Sequence, residues 1–82
     1  MTPDELLRRY PRETLRFLRG RVGMSQEPFA WQLRVSTTTQ RNWEARRHGI
    51  SDEHRAQLLA LLAPHLATEE GEAFMRSLDS AG

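Results

Sequence analysis

The groups in this chain best equipped for chemistry are guanidiniums. Ten of its twelve arginines fall within residues 1–50, alongside five carboxylates, while residues 51–82 hold two arginines and six carboxylates. The formal charge of +1 therefore divides into a first part of +5 and a second of −4. A basic half suits a polyanion such as nucleic acid, and charge alone fits a solvated surface equally well. Other chemistries lack their residues. With no cysteine there is no thiol nucleophile, disulfide or cysteine-ligated zinc. His48, His54 and His65 stand six and eleven residues apart, so no two have the i, i+3 or i, i+4 spacing that brings metal ligands together on one helical face. No nucleophile–base constellation is visible. The expectation is a binding module and not an enzyme, with no metal and no cofactor.

Such groups need elements to hold them, and the 82 residues suffice for one small domain with one core, residues 1–82. The punctuation predicts helices throughout. Thr2-Pro3-Asp4-Glu5 has the form of a capping box with proline at the first helical position. Leu15, Leu18 and Val22 recur at helical spacing from about Pro11, and Gly23 suits a left-handed cap. Phe17 lies off that line and is expected to face the first helix. A third helix is predicted from a Ser25 cap to near Leu33, then a short Arg34-Val35 turn, then a fourth from a Ser36 cap to Ala45 or Arg46. Ser51, with Asp52 and Glu53, opens a fifth that is expected to stop before Pro64. A weaker sixth spans Thr68 to about Leu78, anchored by Phe74, Met75 and Leu78 with Gly71 inside it. No strand pattern competes and there are no internal repeats. The fold class is all-α, a compact bundle of five to six short helices.

No apolar run approaches the roughly 18–20 residues a membrane span requires, and the first ten residues lack the order of a signal peptide. Both point to a soluble, cytoplasmic module.

Two short helices joined by a tight turn form a helix-turn-helix unit, here residues 25–46. Across it and the helix before it, Leu15, Leu18, Arg19, Gly23, Met24-Ser25-Gln26-Glu27, Ala30, Leu33, Val35-Ser36, Thr39 and Trp43-Glu44 stand in order and at fixed spacing. On these residues the chain resembles the Cro and lambda-repressor type, or XRE, helix-turn-helix family over about residues 15–62. Physical reasons for the pattern stand beside the resemblance. Ala30 permits close helix approach, Val35 plugs the turn, and Leu33 and Trp43 bury apolar area at the junction. That packing turns Thr37, Thr38 and Arg41 outward.

The resemblance implies a lambda-repressor-like fold whose fourth helix, about residues 37–46, enters the DNA major groove. Carried over by position, Ser36, Thr37, Thr38, Arg41 and Asn42 lie at the base-facing end, with Arg41 suited to a bidentate guanine contact. Gln26 corresponds to the family's phosphate-contacting glutamine at a helix start. Arg46 and Arg47, with His48, follow the helix as phosphate grips. Arg16, Arg21 and Arg34 are weaker backbone candidates. Arg19 and Glu44 correspond to a structural ion pair joining two helices. Three positions depart from the pattern. Arg34 and Arg46 stand where glycine is usual, which suggests a longer fourth helix at Arg46. Gln40 replaces an apolar residue, so it is either hydrogen-bonded at a half-buried site or turned toward DNA. Trp31 has no core role; it either covers the extra first helix or serves a DNA or protein contact.

The implied function is a sequence-specific double-stranded DNA-binding transcriptional regulator, a repressor acting as a homodimer on a palindromic operator. Residues 64–82 are a dimer or partner element. The alternatives are an antitoxin bound to a toxin protein, an autorepressor of a phage or anti-CRISPR-associated operon, and a protein–protein adaptor that has lost DNA binding.

Overall fold

A computed structural model describes residues 1–81. They form six helices, and no strand occurs among the described residues. These are α1 (Pro3–Arg9), α2 (Pro11–Val22), α3 (Gln26–Gln32), α4 (Thr37–Glu44), α5 (Asp52–Leu66) and α6 (Glu69–Ala81). None of them is long and apolar enough to cross a membrane.

Local chemistry sets the ends. The Thr2 hydroxyl oxygen accepts from the Glu5 amide at 3.2 Å, and Pro3 begins α1 where an amide would have no intrahelical acceptor. Gly23 caps α2 at φ 71°, the left-handed region where a side chain is strained. Ser36 accepts from the Thr39 amide at 3.0 Å and starts α4; Ser51 plays the same part toward His54 at the start of α5.

All six helices contribute to the core. Leu6, Leu15, Leu18, Leu58 and Leu62 are essentially inaccessible, and Phe29, Leu33 and Trp43 join them from α3, the turn and α4. Each such side chain contributes roughly 1.5–3 kcal/mol by leaving water. Ala30 is fully buried where α3 meets α4. The Val35 amide donates to the Ala30 carbonyl at 3.0 Å, which draws the Leu33–Ser36 turn onto the end of α3.

Several expectations are corrected. The fifth helix continues through Pro64 to Leu66. Proline removes one amide, but Leu66 is buried on the stripe of Leu58 and Leu62, and that burial carries the helix two residues further. The fourth helix ends at Glu44 and is not extended. The Arg46 amide donates back to the Trp43 carbonyl at 3.2 Å, and Arg46 turns to φ 61°. Arg34 is also left-handed at φ 59°, so both arginines keep the glycine-like backbone and carry its strain, about 1–2 kcal/mol each. Val22 is exposed, and Thr14 takes its place on the buried face of α2, its hydroxyl donating to the Leu6 carbonyl at 3.2 Å. Phe17 faces α6 and not α1, stacking on Phe74 with ring centroids 4.5 Å apart. Trp31 is 66% exposed, so it covers no helix.

Gly71 lies within α6 against the end of α5. A Cβ there would stand 2.3 Å from the His65 carbonyl oxygen and 2.5 Å from the Leu66 Cα. Both are backbone atoms, so only glycine permits this approach.

Candidate nucleic-acid interface

α4 has two unlike faces. Gln40, Trp43 and Glu44 turn inward, while Thr38, Arg41 and Ala45 form an exposed stripe at spacings of three and four residues. Thr37 and Asn42 flank that stripe, half-buried. Ser36 is exposed, but its hydroxyl is engaged by the Thr39 amide and lies 3.0 Å from the Thr39 hydroxyl, so its main work is capping. Among the described residues, the Arg41 guanidinium and the hydroxyls of Thr37 and Thr38 have no intramolecular polar partner, while the Arg41 carbonyl accepts from the Ala45 amide at 2.8 Å.

What fixes α4 is a polar lock beneath it. Arg19 on α2 donates from Nη2 to Glu44 Oε1 at 2.8 Å and from Nε to Glu44 Oε2 at 3.0 Å. The Glu44 side chain is only 6% exposed and that of Arg19 16%. Gln40 Nε2 donates to Glu44 Oε2 at 2.7 Å, so the carboxylate receives three hydrogen bonds. Of the two expectations for Gln40, hydrogen bonding is the one observed, although the residue is fully buried and not half-buried. Its Oε1 has no hydrogen-bond partner. A planar guanidinium and a planar carboxylate in two parallel bonds set the distance and rotation between α2 and α4 together.

That rotation has a second effect. Arg12, Arg16 and Arg19 stand four and three residues apart on α2, so a line that ends at the lock also borders α4. Arg12, Arg16, Gln26, Arg41, Glu44 and Ala45 surround a surface groove of about 200 Å³. The one carboxylate there is the one neutralised by Arg19. Gln26 and Arg41, both site candidates from the sequence, thus meet in one place. Arg12 was not a candidate and Arg16 only a weak one. The signal that finds them is the presumed pairing of Arg19 with Glu44, because positions 12 and 16 share that face.

The remaining candidates separate from this groove. Arg46 reaches Glu13 through Nη2 at 3.3 Å, an exposed pair that occupies one of its donors. Arg46 follows the end of α4 at Glu44 and keeps its other guanidinium donors. Arg47 is exposed and unpaired among the described residues, its amide held by the Asn42 carbonyl at 2.9 Å. Arg21 turns the other way, its Nε donating to His65 Nδ1 at 3.3 Å with Glu70 3.5 Å away, and so faces α5 and α6. Arg34 is exposed in the turn between α3 and α4.

Compared with protein-family models, curated proteins and solved structures, the chain matches none of them.

Proposed function

We propose that this chain is a sequence-specific double-stranded DNA-binding regulator in which α3, the Leu33–Ser36 turn and α4 act as a helix-turn-helix. The carrying observation is the juxtaposition of Arg12, Arg16, Gln26 and Arg41 around one groove beside the exposed stripe of α4. Arginine is the side chain best matched to both phosphate and guanine. In this reading Arg41, Thr38 and Thr37 face base edges, and Asn42 stands at the margin. Arg12, Arg16 and Gln26 hold the phosphate backbone on one side of the groove, and Arg47 with Arg46 hold it beyond the end of α4. The Arg19–Glu44 pair is structural and sets the angle at which α4 is presented.

The chain acts as a homodimer, since one small module covers little DNA and two half-sites about one helical turn apart supply the specificity. The outward residues Ala60, Leu61, Ala63, Pro64 and Ala67 support this, being exposed and uncharged in a domain whose other surfaces are rich in charge.

Selection of bound sequences from random duplex DNA, followed by titration across a salt series, tests the proposal. A selected, pseudo-palindromic site bound by two chains, with affinity falling steeply as salt rises, is the expected result. Absence of duplex affinity at low salt overturns it and favours an adaptor. A single chain on an asymmetric site overturns the dimer.

A further inference from the structure

A second hollow, of about 320 Å³, lies between the end of α1, the segment 45–50 and α5. Its volume falls in the range of small-ligand pockets, roughly 300–1,000 Å³. Its floor is apolar, made by buried Leu7 with half-buried Pro11 and Ile50. Its rim is cationic: Arg8, Arg46, Arg47 and Arg55 surround the opening with His48, and no carboxylate lines it.

Acidic neighbours outside the hollow hold three of these arginines only in part. Asp4 lies 3.1 Å from Arg8 Nε and 3.4 Å from Arg55 Nε. Asp52 pairs with Arg55 Nη2, and Glu13 with Arg46 Nη2 at 3.3 Å. A guanidinium carries five N–H donors, so each retains several, and Arg47 retains all of its own. The rim is also pre-set. Backbone bonds from the Arg46 and Arg47 amides to Trp43 and Asn42 fix the segment, and Arg46 holds a left-handed backbone at φ 61° where glycine would be unstrained.

We infer that this hollow binds a small organic phosphate monoester, its apolar body on Leu7, Pro11 and Ile50 and its phosphate against Arg47 and the free donors of Arg8, Arg46 and Arg55. Multiple planar donors suit the phosphate oxygens, and the floor distinguishes an ester from a bare anion. The inference stands on the cavity alone and does not depend on DNA binding.

The test is a titration of the full chain with phenyl phosphate, followed by amide and arginine side-chain NMR, with inorganic phosphate and phenol as comparators. Shifts should concentrate at Arg47, His48, Gly49 and Ile50 and at the Arg8 and Arg55 side chains. Phenyl phosphate should bind about tenfold more tightly than inorganic phosphate, the gain from taking one ring face out of water, and more tightly than phenol. Arg47→Ala should weaken binding about tenfold, as loss of charged hydrogen bonds does. Arg8→Gln, at an exposed position, should also weaken it, while Arg76→Gln on α6 should not. Equal affinity for phenyl phosphate and inorganic phosphate would reduce the hollow to a general phosphate grip, of the kind a duplex backbone uses, and overturns the inference. Shifts spread evenly over all exposed arginines, or none at the hollow, overturn it as well.

Discussion

Replacing Arg19 with alanine strips Glu44 of two of its three hydrogen bonds and leaves a carboxylate that is 6% exposed with Gln40 Nε2 as its remaining donor. Removing one partner of a fully buried ion pair costs roughly 3–5 kcal/mol. Arg19 keeps 16% exposure, so water reaches the vacated site and the cost falls at the low end, about 3 kcal/mol. A domain of this length has a total stability of roughly 4–12 kcal/mol. The variant should therefore lose a quarter or more of its stability, and its Tm should fall by over about 12 °C. Urea denaturation followed by far-UV circular dichroism measures this directly. Arg19→Met combined with Glu44→Met should be markedly more stable than the sum of the single changes, since the apolar pair leaves no unpaired buried charge. Duplex binding by Arg19→Ala should survive at temperatures where the chain is folded. An unchanged Tm with binding abolished at low temperature would make Arg19 a DNA contact and refute the structural account; additive single and double changes would refute the coupling.

Four further outcomes are expected. Arg41→Ala should cost about 1–3 kcal/mol on the selected site and relax preference at one base pair, whereas Arg47→Ala should weaken all duplexes alike and lower the salt slope by about one unit; affinities for single-base variants across a salt series separate the two. Arg12→Ala with Arg16→Ala should reduce that slope by about two units and leave base preference intact, and an unchanged slope would remove α2 from the interface. Gly71→Ala should destabilise the fold by about 1–3 kcal/mol despite alanine's better helix propensity, as judged by the urea midpoint. Arg34→Gly should raise Tm by a few degrees, because relief of left-handed strain, about 1–2 kcal/mol, exceeds the entropy glycine adds to the unfolded chain.

Much of the helix layout was legible because its signals are local. Ser36 and Ser51, the helix-opening prolines Pro3 and Pro11, and Gly23 each act within a turn of where they stand, and all lie at the predicted helix ends; Ser25 stands at its predicted cap position, but its side chain makes no capping bond. Misreadings came where tertiary burial overrode a local rule. Pro64 is a breaker by local chemistry, yet Leu66 draws the helix past it. Phe17 was placed by its neighbour in sequence, while its stacking partner Phe74 lies 57 residues away. Among the candidate residues, Gln26 and Arg41, named from the sequence, both line the groove beside α4. Arg12 escaped because an exposed arginine on an amphipathic helix looks like any other until the rotation of that helix is known.

The contact at Gly71 also bears on redesign. The angle between α5 and α6 is set by backbone meeting backbone, so it depends little on which side chains α6 displays outward. Glu72, Ala73, Arg76, Ser77, Asp79 and Ser80 are all exposed on that helix. Those positions form a graftable surface: a peptide epitope or engineered contact written there would inherit a defined pose, provided that Gly71, Phe74 and Leu78 are kept as the foot on which the helix stands.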